Sequence, residues 1–174
     1  MNLYKRAITV LLGGEKVEAG TNASKIEKLR MKFNIQKQGY GQMNQCELNI
    51  YNLSQKHVAK IQKQYTDMVI NAGYEGNQSV IFTGQILNVF HPRQGVDTIT
   101  KIYAYESAKN FMDAVVNFTA DEKMTAREIF KKVASTFENV RIGDLSAIPN
   151  NPIFIGGKTI SGDTRARLNG LANT

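Results

Sequence analysis

The sequence predicts a mainly β protein of the α+β class: a small β-barrel or sandwich with one short helix, followed by a smaller α/β segment. Apolar and polar residues alternate strictly over residues 29–36 and again over 46–51. A period of two places one face of a strand in a core and the other in water. Turn residues separate further runs of this kind up to residue 105, and helical spacing is confined to short stretches.

The predicted strands of the first part follow from this alternation and from the turns between the runs. They are residues 7–12, 29–36, 46–51, 67–72, 79–90 and 98–105. Gly84 lies at the middle of the long strand 79–90 and predicts a bulge or bend there. Residues 37–44 contain two glycines and are polar, which predicts a hairpin connection longer than a two-residue turn.

Helix signals come from caps and from apolar residues at helical spacing. Ser54 is the predicted N-cap of a short helix that carries Val58, Ile61 and Tyr65 on one side. Thr125 and Glu128 form a capping-box pattern, which predicts a helix over 125–137.

The rest of the last third is less regular. Residues 111–119 fit a helix end or a strand equally well, and 144–152 contains two prolines, which indicates a linker. A strand over 153–155 and a helix that begins at Asp163 complete the prediction. We therefore expect a barrel domain over 1–106, a helix-containing segment over 107–150, and the start of a truncated following segment over 151–174.

Composition limits the possible classes of protein. The 174 residues include 22 lysines and arginines and 15 acids, a net charge of +7. Such a charge favours polyanions, but the cations alternate with apolar residues instead of clustering, which indicates solvated faces. Cys46 is the only cysteine, so no intrachain disulfide forms, and its alternating segment predicts a buried thiol. No apolar run is long enough to cross a membrane and no leader is evident, so a soluble protein made in the cytoplasm is expected.

A search for catalytic chemistry identifies no constellation. The two histidines, His57 and His91, have no metal-site spacing between them. Residues 155–159 (IGGKT) end like a phosphate-binding loop, but the glycine that this motif requires five positions before Gly157 is absent. The adjacent acids Asp121 and Glu122 are expected to be solvated. We therefore predict no catalytic, cofactor-binding or metal-binding residues, and a protein that is not an enzyme.

An alternating strand over 29–36 precedes a strand that ends in IYNLS (50–54) and leads into a short helix. VINAGY (69–74) and IFTGQI (81–86) follow as a further pair of strands. This order of segments resembles the N-terminal domain of the baseplate hub proteins of contractile-tailed phages and related injection systems. The motif residues are Asn52, Leu53, Ser54, Gly73, Tyr74 and Gly84. The resemblance is good over 1–105 and looser over 106–174.

The resemblance implies a mechanical role and a tail-tube-like fold. Hub barrels line a channel coaxial with the tail tube, usually in a trimer that matches the six-fold ring of the tube with two barrels per chain. The implied partners are further copies of the chain, the tail tube protein, the central spike and other baseplate proteins. DNA is implied only as cargo, with no cofactor, membrane or small-molecule substrate. The implied location is the baseplate of the virion tail, after synthesis in the host cytoplasm.

The same resemblance implies contacts through an exposed sheet edge or a long loop. The loop 37–44 is the candidate, with Lys37, Tyr40 and Gln42 as interface residues and Tyr40 as the amphipathic anchor. That this loop is only a solvated hairpin remains equally open. Two other functions stay open: a tail tube subunit or another tube-fold protein of an injection system, and a basic β-barrel that binds nucleic acid.

Overall fold

The computed structural model describes residues 5–13, 15–19, 29–38 and 42–172. The chain divides into two compact units, Met1–Ala108 and Lys109–Thr174. The described part of the first contains eight strands and one helix. They are β1 (Arg6–Leu12), β2 (Glu15–Ala19), β3 (Met31–Gln36), β4 (Gln45–Tyr51), α1 (Gln55–Ile61), β5 (Thr66–Tyr74), β6 (Asn77–Phe90), β7 (Arg93–Gln94) and β8 (Asp97–Tyr105). The predicted fold class, α+β and mainly β, is confirmed.

The strands of the first unit form one antiparallel sheet in the order β2-β1-β5-β6-β8-β4-β3, with the short β7 paired to β8. The alternation that predicted the strands decides which side chains lie inside. On β4, Cys46, Leu48 and Ile50 are almost completely buried, while the residues between them are partly exposed. Burial raises the pKa of the Cys46 thiol to about 12, with a smaller contribution from the charge of Glu47.

One hydrophobic core joins the inward side chains of five strands and the residues around α1. Its fully buried members include Val10, Leu48, Met68, Phe82 and Ile102, from β1, β4, β5, β6 and β8. The seven residues of α1 measure about 10 Å along the helix axis, whereas neighbouring strands are ~4.8 Å apart. Because α1 covers only a few strands at most, the sheet must curl and bury its own apolar face.

Two irregularities interrupt the register of the long strand β6. The register with β5 shifts at Ile81, and the register with β8 shifts at Leu87. Gly84, the predicted position of the bulge, lies between them in regular pairing with Met68. A Cβ atom on Gly84 would lie 2.7 Å from the Tyr105 carbonyl oxygen and 2.8 Å from the Phe82 ring. Glycine is therefore required there for close packing, and the bulges themselves lie at the flanking residues.

The second unit is built on a two-stranded antiparallel sheet. Its elements are β9 (Val115–Ala120), α3 (Ala126–Ala134), β10 (Lys158–Asp163) and α4 (Thr164–Ala172), preceded by α2 (Ala108–Asp113), which begins at the last residue of the first unit. Val116 and Ala120 on β9 pack with Ile129 and Val133 on α3 and with Ile160 on β10. Because β10 pairs with β9, residues predicted to belong to two separate segments share this sheet.

The capping box predicted at the start of α3 is present. The Glu128 amide donates to the Thr125 hydroxyl at 3.3 Å, and the Thr125 amide donates to the Glu128 carboxylate at 2.9 Å. The hydrogen bonds from the Thr125 backbone and side chain hold the pKa of Glu128 below its usual value. The helix ends at Ala134, three residues earlier than predicted, because Thr136 and Phe137 continue in tighter turns.

Other boundaries of the second unit resolve or correct the predictions. The ambiguous stretch 111–119 contains both alternatives, since α2 ends at Asp113 and β9 begins at Val115. The strand predicted over 153–155 is wrong, because the strand begins only at Lys158, after the turn at Gly156. Phe154 instead packs against the core of the second unit, and the Lys158 ammonium lies over its ring. The helix predicted at Asp163 is confirmed, and the Asp163 carboxylate accepts from the Ala166 amide at 2.7 Å.

Replacing Gly84 with alanine tests the packing role assigned to this glycine. Gly84→Ala should lower the free energy of unfolding by about 1–3 kcal/mol, because the methyl group overlaps the Phe82 ring and a backbone carbonyl. Urea unfolding followed by circular dichroism measures the change. Gly143→Ala is the control, since nothing lies within 4 Å of a Cβ at that position. Equal stability of the two variants would contradict the assignment.

Candidate docking interface at the open edge of β3

The candidate site is the strand β3 with the loop that follows it. β3 ends the strand path and pairs only with β4 among the described strands. The Tyr51 amide donates to the Arg30 carbonyl at 3.0 Å, across the same register as the β3–β4 pairing. Hydrogen-bonded pairs alternate in an antiparallel sheet, so the even-numbered residues of β3 bond to β4. The backbone N–H and C=O groups of Met31, Phe33 and Ile35 therefore point to the open side.

The apolar side chains of β3 are also incompletely covered. Met31, Phe33 and Ile35 are half-buried, whereas their partners on β4 are almost completely buried. Lys32 is the one charged residue of the strand, and the strand contains neither proline nor a register shift. Charged side chains, proline or a register shift normally protect an edge strand from pairing with another chain, and β3 has only the single lysine. Apolar contact area thus coincides at this edge with main-chain groups that have no partner among the described strands.

The loop after β3 is fixed at one end by Asn44. Its side chain accepts from the Gln38 amide at 2.7 Å and donates to the Glu106 carboxylate at 2.7 Å. The Glu106 amide donates to the Asn44 carbonyl at 3.0 Å, which continues the β4–β8 pairing by one residue. Asn44 therefore holds the loop against the end of β8.

The residues predicted for the interface lie in this loop. Lys37 and Gln42 are exposed, and Tyr40 lies outside the described residues. Asn44 and Glu106 were not predicted. Asn44 had only a weak signal, a turn-forming residue next to a strand. Its partner Glu106 is 62 positions away in the sequence and had none.

The motif Asn52-Leu53-Ser54 joins the end of β4 to α1 and β8. Asn52 has a positive φ of 57°, and its side chain bonds to the Asp97 carboxylate and the Thr98 amide, each at 3.0 Å. Leu53 is buried in the core. Ser54 occupies the N-cap position of α1, but its hydroxyl makes no capping bond and lies 2.7 Å from the Nδ1 atom of His57. The predicted capping bond is therefore wrong, while the predicted helix start is confirmed.

The motif residues Gly73 and Tyr74 lie at the β5–β6 hairpin. A Cβ atom on Gly73 would collide with the Asn77 carbonyl oxygen. Tyr74 is half-buried and pairs with Asn77, so the turn is the two residues Glu75 and Gly76 and is shorter than predicted. Gly76 has a φ of 81°, which suits glycine in such a turn. Gly73 therefore serves the hairpin and lies on a different strand from the open edge.

The described part of the chain contains no group of three or more His, Cys, Asp or Glu side chains that would hold a metal ion. None of the helices described between residues 5 and 172 is long and apolar enough to cross a membrane. Lys158 and Thr159, the end of the loop-like sequence IGGKT, lie in strand β10 rather than at a helix start, where a phosphate-binding loop would place them.

The fold is shared with tail proteins of known structure. A tail protein from Neisseria meningitidis matches 98% of this chain with a TM-score of 0.57 and 15% identity. The 43 kDa tail protein of prophage MuSo2 from Shewanella oneidensis matches 98% of the chain with a TM-score of 0.60 and 13% identity. A chain of the Francisella PdpA–VgrG complex matches 92% with a TM-score of 0.51 and 13% identity. The predicted resemblance is thereby confirmed as a similarity of fold.

The matches extend over only part of each known structure. This chain spans 45% of the Neisseria protein, 50% of the Shewanella protein and 24% of the Francisella chain. No protein-family model and no curated protein matches the sequence. The similarity is therefore one of three-dimensional structure at low sequence identity.

Removing the Asn44 side chain tests how the loop is held. Asn44→Ala should speed amide hydrogen exchange at Gln38 by about 2- to 12-fold, the factor that corresponds to a hydrogen bond of ~0.5–1.5 kcal/mol. Exchange followed by NMR measures the effect. Gln42→Ala, a change at an exposed residue of the same loop, is the control and should leave the Gln38 rate unchanged. If both variants exchange at the wild-type rate, Asn44 does not hold the loop.

Proposed function

We propose that the chain is a structural, non-enzymatic component of a phage tail or related injection system, the hub that connects the tail tube to the central spike. The open edge of β3 is the observation that carries the proposal. An edge whose main-chain groups have no described strand to pair with, and whose apolar side chains are half-covered, suits docking to a neighbouring subunit by strand addition. The shared fold with tail proteins supports this role.

In this proposal residues 1–106 are the tube-like barrel domain, and residues from 107 onwards lead into further parts of the hub. The strand path has two different ends, β2 and β3. Contacts between different edges are head-to-tail contacts, and such contacts close into rings when the rotation per subunit permits. A ring of three, as in the hubs that the sequence resembles, encloses a channel through which DNA passes as cargo.

The partners in the assembled tail are further copies of this chain, the tail tube protein, the central spike and other baseplate proteins. The similarity to a chain of the PdpA–VgrG complex supports partners of the spike type. Lys37 and Gln42, which are exposed beside the open edge, are the proposed polar contacts at the rim of the interface. The place of function is the tail of the virion.

A proline at the open edge tests the proposal. Ile35→Pro removes an N–H group that points away from β4, whereas Ile35→Ala removes the same apolar side chain and keeps the N–H. Self-association of the proline variant should be about 5- to 100-fold weaker than that of the alanine variant, because a partner carbonyl loses its donor in a buried contact. Light scattering at several concentrations, with thermal unfolding as a check on folding, measures both.

The mass of the wild-type assembly separates the alternatives. Closed trimers that the proline substitution disrupts are the expected result for a hub. Rings of six would identify a tube subunit instead. Equal association of the proline and alanine variants would show that the β3 edge is not the docking surface.

A further inference from the structure

A hollow on the outward face of the first unit is lined by residues that have no part in the proposed docking. It lies on the three neighbouring strands β3, β4 and β8, on the side opposite the core. Its side-chain walls are Asn34, Gln36, Gln45, Glu47, Tyr103 and Tyr105. The tyrosines reach this face because Ile102 and Ala104, the residues that alternate with them, point into the core. An alternating strand more often turns such tyrosines inward, so their outward position is a finding of the structure.

The walls of this hollow are held in place by neighbouring side chains. Gln45 donates to the side-chain carbonyl of Gln36 at 2.6 Å, so the two amides orient each other. The Asn49 amide donates to the Glu47 carboxylate at 3.1 Å. The ring of Phe90 meets the ring of Tyr103 edge-on, with 6.0 Å between the ring centroids. Groups whose orientations are already fixed lose little conformational entropy when a ligand binds.

The charge of the hollow is unusual for this chain. The protein carries a net charge of +7, yet the one charged wall of the hollow is the carboxylate of Glu47. The nearest cations in the strand registers are Lys32 and Lys101, which both pair with Asn49. Asn49 is two residues, or about 7 Å, from Glu47 along β4. Phosphates and acidic peptides would meet the Glu47 carboxylate, the one charged group among the residues that line the hollow, so an uncharged ligand fits better.

We propose that this hollow binds a neutral saccharide. The aromatic faces of Tyr103 and Tyr105 provide flat, partly apolar surfaces of the kind that pack against the C–H face of a sugar ring. The amides of Gln36 and Gln45 offer donors and acceptors, which match hydroxyl groups that both donate and accept. Glu47 accepts two further hydrogen bonds from hydroxyl donors and excludes acidic sugars by repulsion. A few oriented polar groups beside aromatic surfaces are the usual composition of a small-ligand site.

The test is a binding titration of the whole chain with chosen sugars. Maltose and the N-acetylglucosamine dimer are the neutral probes, and galacturonic acid is the acidic probe. Chemical-shift changes of the amides of β3, β4 and β8 should saturate with a neutral probe at concentrations of about 20 mM or below, an affinity that a few hydrogen bonds and one ring contact provide. Galacturonic acid should bind at least about tenfold more weakly, because its carboxylate faces Glu47.

Matched variants locate the binding. Tyr103→Ala should weaken binding at least about tenfold, while Tyr103→Phe keeps the ring and should retain most of it. Tyr51→Ala removes another aromatic ring, the one that stacks with Arg30 beyond the hollow, and should leave binding unchanged. Unfolding curves confirm that each variant is folded. The glutamate variant Glu47→Gln should allow galacturonic acid to bind more nearly as the neutral sugars do.

Three results would overturn the proposal. Absence of saturable shifts with every sugar rules out the site. Equal or tighter binding of galacturonic acid rules out the assigned role of Glu47 and with it a site for neutral sugars. If Tyr103→Ala binds every sugar as tightly as the wild type but changes the association state, the hollow is a contact between protein chains.

Discussion

The first unit depends on one constraint: a single sheet with one short helix must bury its own apolar face. Seven residues of α1 cannot cover inward side chains that come from five strands. The sheet therefore curls, and the curvature accounts for the register shifts at Ile81 and Leu87 on the longest strand. Close packing also leaves no space for a side chain at Gly84, where the Phe82 ring and the Tyr105 carbonyl lie too near.

The same constraint accounts for the proposed function. A sheet that curls on itself along a path of strands still leaves a strand at each end, here β2 and β3. On β3 the main-chain groups of Met31, Phe33 and Ile35 have no described strand to pair with, and their side chains are half-covered. A neighbouring chain that adds a strand would satisfy the hydrogen bonds and cover the apolar side chains together. In the proposed function, assembly would thus complete the sheet.

The parts of the fold that could be predicted from the sequence are those with a local residue pattern. The strands near 29–36, 46–51 and 98–105 were predictable because one face is buried and the other exposed, which produces a period of two. The capping box at Thr125 was predictable because its two residues are three positions apart. The strand β2 has weak alternation, with charged residues at three of five positions, and was not predicted.

Features that depend on distant residues could not be predicted in this way. The β6 bulges are defined by registers with β5 and β8, which no local pattern encodes. The bond from Asn44 to Glu106 spans 62 positions, and the hollow beside Tyr103 combines three strands. Strand β10 was missed because its partner β9 lies about 40 positions earlier. The candidate loop was found from its length and glycines, whereas the open edge beside it required the strand order.

Amide hydrogen exchange along β3 tests the central claim most directly. In a dilute solution of the single chain, the amides of Met31, Phe33 and Ile35 should exchange fast, because they point away from β4. Lys32 and Asn34 donate to β4 and should exchange slowly under the same conditions. When the concentration is raised until the chain assembles, the three fast amides should become protected. Protection already present in the single chain, or fast exchange that persists in the assembly, would contradict docking through this edge.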